Sequence, residues 1–159
     1  MNQLPKATVR VFYSYSHCDE RHRVEIEKQL SILRRQGAIK EWHDRMIQPG
    51  EEWSGQIDTN LEACNLILLL VSADFLASDY CYDVEMKRAL ERHEAGEARV
   101  IPVIIRSCDW HPAPFGKLQA LPKDGKPVAS WNDPDEAFTD IAKGVRRAVG
   151  ELQAMSQRS

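Results

Sequence analysis

Leu66-Ile67-Leu68-Leu69-Leu70-Val71 is a run of six apolar residues with no polar residue among them, and it constrains the chain more than any other feature. A strand with one face in water alternates, so an unbroken run fits a strand covered on both faces, as inside a parallel sheet. The run is the longest of its kind here, yet only about a third of the length a membrane-crossing helix needs. A strand of this type needs helices above and below it, and the rest of the chain can be read for them.

Val9-Arg10-Val11-Phe12-Tyr13 is β-branched and aromatic and runs into the polar turn Ser14 to Asp19, which predicts a first strand. Ile26, Leu30 and Leu33 recur at helical spacing until Gly37, predicting a helix that ends near Gln36. Ala38 to Trp42 is a short strand candidate, followed by a loop, His43 to Glu52, that contains Pro49-Gly50. Trp53, Ile57, Leu61 and Cys64 share one helical face, with Asn65 as a left-handed cap. After the central run, Ser72-Ala73-Asp74 ends the strand, and a helix is expected from Tyr82 to about Glu94, stopped at Gly96. In the second apolar run, Val100 to Ile105, Pro102 has no ladder donor, which points to an edge strand or a bulge. Ser107 to Lys126 shows no clear period and reads as loop, and Val128-Ala129-Ser130 as a last edge strand. Asp133-Pro134-Asp135-Glu136 supplies a cap, a proline at the first helical position and a carboxylate three residues after the cap. Phe138, Ile141, Val145, Val149 and Leu152 then mark one face of a final helix. Residues 1–8 read as a lead-in and 154–159 as a disordered tail.

Alternating strands and helices with short connections imply an α/β fold with a parallel sheet and helices on both faces. Ligands of such sheets sit outside the carboxyl ends of the strands, where the winding reverses. Three segments should therefore meet: the turn after the first strand, the His43 to Trp53 loop, and Ser72 to Glu85.

At 159 residues the chain is one domain, and 43% hydrophobic with 28% charged residues is too apolar for a disordered one. Lys+Arg 21 against Asp+Glu 24 leaves a net charge of -3, so neither nucleic acid nor a membrane is an expected partner. Met1 to Lys6 carries no apolar secretory stretch, which leads us to expect a cytoplasmic protein. Cys18, Cys64, Cys81 and Cys108 form no close pair and the five histidines are scattered, so no metal and no cofactor are expected. There is no GxGxxG, no GxxxxGK[ST] and no GxSxG. A phosphoacceptor receiver would want an acidic pair after the first strand and an Asp ending the third, where this chain has Ser14-Tyr15-Ser16 and Ser72.

What remains is Ser78-Asp79-Tyr80-Cys81-Tyr82-Asp83-Val84-Glu85-Met86. Glu85 falls in the first turns of a helix, where the dipole favours an ionised carboxylate. Tyr80, Cys81 and Tyr82 could wall a partly dry pocket around it. By spacing alone the same acid reads first as a solvated residue that steadies a helix start, as most acids there do, in which case its removal costs little.

Three segments in this order and at these intervals resemble a Toll/interleukin receptor (TIR) domain of the bacterial type, over about Val9 to Leu152. They are Val11-Phe12-Tyr13-Ser14-Tyr15-Ser16 with Asp19; the BB loop from His43 to Trp53; and Leu68-Leu69-Leu70-Val71-Ser72 leading to Ser78-Asp79-Tyr80-Cys81 and Glu85. The resemblance implies a TIR domain over 9–153 with a flavodoxin-like, three-layer fold: five parallel strands in the order 2-1-3-4-5. Many such domains cleave the nicotinamide–ribose bond of NAD+ with one glutamate, which maps to Glu85. It places the substrate against Ser14, Ser16, His17, Asp44, Arg45 and Ser72, and makes Ile47, Pro49, Gly50 and Trp53 of the BB loop a contact surface for other TIR domains. It implies an NAD+ glycohydrolase or cyclase in bacterial immune defence, activated by self-association and served by a fused or separate sensor. The alternative is a non-catalytic TIR–TIR scaffold. The family commonly shows Trp-Cys-x-x-Glu, whereas here Cys81 stands four before Glu85 and Tyr80 five before. Either one inserted residue has shifted the aromatic wall, or Tyr82 takes over part of it.

Overall fold

The computed structural model describes residues 7–158, without side-chain detail for 157 and 158, so most of the lead-in expected over 1–8 lies outside the described residues. Four strands, β1 (Val9–Ser14), β2 (Ile39–Trp42), β3 (Leu66–Val71) and β4 (Arg99–Ile104), form one sheet in the order β2-β1-β3-β4. Every pairing is parallel. All six residues of β3 are buried. Leu66, Leu68 and Leu70 point into one apolar cluster, with Ile26, Leu30, Phe138, Ile141 and Val145. Ile67, Leu69 and Val71 point into the other, with Ile57, Leu61, Phe75, Ala89 and Leu90. The unbroken apolar run is therefore the middle of a three-layer sandwich, each alternate side chain removed from water against helices on its own face.

The first face is covered by α1 (Glu20–Gln29), α2 (Ser31–Arg35) and α6 (Pro134–Arg158). The second is covered by α3 (Trp53–Ala63), α4 (Ala73–Ala77) and α5 (Lys87–Glu94), the last preceded by a π-helical turn, Tyr80–Met86. None of the described helices is long and apolar enough to cross a membrane.

The architecture is the expected one, with four strands among the described residues in place of five. Val128–Ser130, expected as the last edge strand, is a 3-10 turn. The fifth position is reduced to Leu121, whose N–H donates to the Pro102 carbonyl (2.9 Å) and whose carbonyl accepts from the Ile104 N–H (2.8 Å). Pro102 faces this outer side and has no N–H for the preceding part of a fifth strand, and a turn at Lys123–Gly125 ends the pairing beyond it. The proline thus marks the edge, as its chemistry predicted.

Three local expectations are corrected. The helix expected to end near Gln36 breaks at Leu30 (φ -90°, ψ 7°), where the Ser31 hydroxyl donates to the Lys28 carbonyl (2.6 Å) and competes with the helical pattern. Asn65 is not a left-handed cap, since Asp124 is the one non-glycine residue with positive φ among those described. Instead its N–H and Oδ1 bond the carbonyl and N–H of Arg10 (2.9 and 3.0 Å), and its carbonyl accepts from the Arg99 N–H (2.9 Å), which extends the sheet. Finally, the tail expected to be disordered from Ala154 continues α6 to Arg158, because no glycine or proline interrupts it.

Candidate active site

At the carboxyl end of the sheet, the loop after β1, the loop after β2, the start of α3 and the π turn enclose a cleft of about 290 Å³. These are the segments the topology was expected to bring together. Glu85 lies in it, 6% exposed, and its Oε1 accepts a hydrogen bond of 2.7 Å from the hydroxyl of Ser14, the last residue of β1. Burial pushes the Glu85 carboxyl up to about 8; the Ser14 bond opposes this, and the nearby Asp44 charge adds to it. The solvated, ionised acid of a helix start is therefore not what the fold makes. Removing Glu85 leaves the buried Ser14 hydroxyl without its acceptor, so Glu85→Ala carries a stability cost that an exposed acid would not.

A π turn accommodates the spacing. An i→i+5 turn holds one residue more than an α turn, and such turns are frequent at functional sites. Tyr80–Met86 takes that form, with Cys81, Glu85 and Met86 on its buried side. Tyr80 reaches the cleft and packs on Trp53, ring centroids 4.5 Å apart. Tyr82 does not line the cleft and packs, partly buried, against the core beneath. Cys81 closes the inner wall with its thiol donating to the Tyr15 carbonyl (3.4 Å), and burial pushes that thiol up to about 12, so it is a neutral wall and no nucleophile.

Across the cleft, Asp44 Oδ2 pairs with His17 Nε2 at 2.6 Å, and Asp44 Oδ1 lies 3.2 Å from the Tyr15 hydroxyl. Ser16 lines the same wall, its Oγ accepting from the Cys18 N–H (3.4 Å) to cap the 3-10 turn His17–Asp19. Arg45 is not brought in: its Nε donates to Glu20 Oε1 on α1 (3.0 Å), and it does not line the cleft. Ser72 is buried below, capping α4 through the Phe75 N–H (3.2 Å) and donating to Asp19 Oδ2. Asp19 in turn holds Arg106 by Nε and Nη2 (3.1 and 2.9 Å), which braces the first loop against the ends of β3 and β4. In the BB loop, Ile47 leans on the core while Pro49 and Gly50 are exposed, Gly50 turning at φ +90°. Trp53, expected as an interaction residue, is 45% exposed and forms part of the cleft wall.

Tyr15, Cys18 and Ser78 line the cleft without having been singled out as substrate contacts, and Arg106 braces it. Tyr15 stands between the two flagged serines and Ser78 opens the flagged segment, so proximity was a signal for both. Arg106 is 87 positions from Asp19, and no local pattern announces it. Among the described residues no group of three His, Cys, Asp or Glu is placed to hold a metal ion.

A family model described as TIR domain matches residues 11–141. An uncharacterized protein of Sinorhizobium fredii, y4lF, is 61% identical over 142 residues, covering 89% of this chain and 44% of its own length. The chain thus spans less than half of that bacterial relative. Among solved structures, the TIR domain of the Toll-related receptor TRR-2 from Hydra magnipapillata matches with a TM-score of 0.60 at 19% identity, covering 86% of this chain and 97% of that one. The TIR domains of the activated Roq1 resistosome, which recognises the pathogen effector XopQ, match with a TM-score of 0.54 at 19% identity, covering 86% and 84%.

Proposed function

The chain belongs to the TIR-domain family, and we propose that within it this protein is an NAD+ nucleosidase, a glycohydrolase or cyclase that breaks the nicotinamide–ribose bond. The observation that carries the reading is the single carboxyl group of Glu85, buried in an open cleft and held by Ser14. The bond chemistry makes one carboxylate enough. Nicotinamide leaves as a neutral molecule from a cationic precursor, so no general acid is needed, unlike in sugar hydrolysis. Positive charge grows on the ribose as an oxocarbenium ion, and a fixed carboxylate beside the ribose hydroxyls stabilises it.

Burial holds the Glu85 carboxyl up to about 8, so at neutral pH most molecules carry it protonated. A bound pyridinium cation favours the ionised form, and the proton leaves as the substrate enters. The buried setting lends strength to that attraction, since little water competes with it. Tyr80 and Trp53 offer ring faces for the nicotinamide or its ribose, and Ser16, His17 and Asp44 offer polar contacts opposite. In this reading the protein works in the cytoplasm in bacterial immune defence, self-association raises its activity, and a sensor, fused or separate, supplies the signal.

The exposed Pro49-Gly50 turn favours a second reading, a TIR–TIR scaffold without catalysis. Concentrated protein is incubated with NAD+ and the products separated by chromatography, wild type beside Glu85→Gln. The nucleosidase reading expects nicotinamide together with linear or cyclic ADP-ribose from the wild type, and a loss of roughly 10²–10³-fold or more in the variant, which keeps an acceptor for Ser14. No nicotinamide from the concentrated wild type leaves the scaffold reading standing.

A further inference from the structure

The polar groups of the cleft are unevenly distributed by charge. No lysine or arginine is among its lining residues, while two carboxyl groups, Asp44 and Glu85, are. The one cationic candidate, His17, is engaged by Asp44 at 2.6 Å. The guanidinium groups around the cleft are likewise held by acids: Arg45 by Glu20, Arg23 by Glu20 and Glu27, and Arg106 by Asp19 and Asp74. At the amino end of α3, which opens beside Trp53, Glu52 stands at the N-cap position and sets a further carboxylate beside the first turn. A diphosphate would therefore meet the Asp44 carboxylate, and that of Glu85 wherever it is ionised, with no lysine or arginine among the lining residues to receive it. A cation with rings and hydroxyls meets no such repulsion.

The open cleft of about 290 Å³ beside Glu85 gives room for the nicotinamide riboside part of a ligand, whatever extends beyond it. A ribosylpyridinium nucleoside has fewer than half the non-hydrogen atoms of the dinucleotide and suits such a volume. Its parts match the lining: the Tyr80–Trp53 pair for the cationic ring, Glu85 and Asp44 for its charge and the ribose hydroxyls.

Resting on the nucleosidase reading above, we propose that this cleft is a site for cationic N-ribosylpyridinium nucleosides, and that the chain hydrolyses nicotinamide riboside at least as efficiently as NAD+. In the reaction the oxygen of a water molecule bonds to ribose C1′. The C1′–N1 bond breaks, its electron pair passes to the ring nitrogen to give neutral nicotinamide, and the water's surplus proton is released. The products are ribose, nicotinamide and one proton, with no oxidant or reductant involved.

Initial rates of nicotinamide release from nicotinamide riboside and from NAD+ test this on the same concentrated chain, with Glu85→Gln as the blank for spontaneous hydrolysis. The expected result is a kcat/KM for the riboside equal to or above that for NAD+, with the ratio growing at low ionic strength as the diphosphate's repulsion loses its screening. Cleavage of NAD+ with the riboside more than tenfold slower overturns the proposal, because the adenylate half then supplies binding, and it leaves the nucleosidase reading intact. Cleavage of neither compound, or cleavage unchanged in Glu85→Gln, removes that reading and this inference with it.

Discussion

Ser14→Ala isolates the electrostatic argument, because it removes one hydrogen bond and leaves the carboxyl group in place. Ser14 donates to Glu85 Oε1 at 2.7 Å in a buried setting, and this bond works against the burial that pushes Glu85 up to about 8. A hydrogen bond to a charged group contributes about 1.5–3 kcal/mol, and one pKa unit corresponds to about 1.4 kcal/mol. Its loss should move the Glu85 titration up by about 1–2 units. If the ionised form is the reactive one, kcat/KM in the wild type rises about tenfold per pH unit and levels off above about 8, since this parameter reports the free enzyme. In Ser14→Ala the rise should continue by about 1–2 units further, so that kcat/KM near neutral pH falls roughly 10- to 100-fold while the alkaline plateau survives. Nicotinamide release at low NAD+ concentration across this pH range is the assay. A midpoint that stays where it was, or moves down, refutes the assignment of the bond's role. A wild-type profile flat through pH 8 refutes the role of Glu85 as the titrating group.

Two further outcomes follow from the same region. Folding holds Glu85 protonated up to about 8, whereas its ordinary value is 4.5, so the stability from this group is complete below the lower value and drains away as pH rises toward the upper. The interval corresponds to about 4–5 kcal/mol at most, and Glu85→Gln, with no proton to lose, escapes the loss. Thermal unfolding of the two proteins should coincide at about pH 4, separate progressively from about 4.5 up to about 8 with the variant higher, and run parallel beyond; curves parallel throughout would contradict the buried carboxyl. Deleting the exposed Asp83 should let Tyr80–Met86 relax to α-helical register with Tyr80 and Glu85 still facing the cleft, at a cost within about 1 kcal/mol. Unfolding, or loss of activity with the fold retained, would show that the π turn itself positions the acid.

The outline of the fold was legible because burial leaves its mark residue by residue. The β3 run, the face shared by Phe138 to Leu152 and the proline at the outer edge of β4 each record which atoms lose contact with water or lack a donor. The errors arose where a local signal met a tertiary competitor. Asn65 has the chemistry of a cap, yet Arg10 and Arg99 offer it sheet partners from sequence-distant strands. Val128–Ser130 looks like a strand, but the neighbouring edge presents Pro102.

The candidate site divides in the same way. Glu85 and its segment stood out by composition and by likeness to a family, and the order of strands and helices alone placed that segment at the sheet's carboxyl end. Local pattern did not reveal that the acid is buried, that Ser14 holds it from 71 positions away, or that Tyr80 and Trp53 meet. An acid's proton affinity depends on the water around it and the donors within reach, and those are set only when distant segments pack. Sequence determined the architecture and named the acid, and the packed chain decided the charge state in which that acid waits.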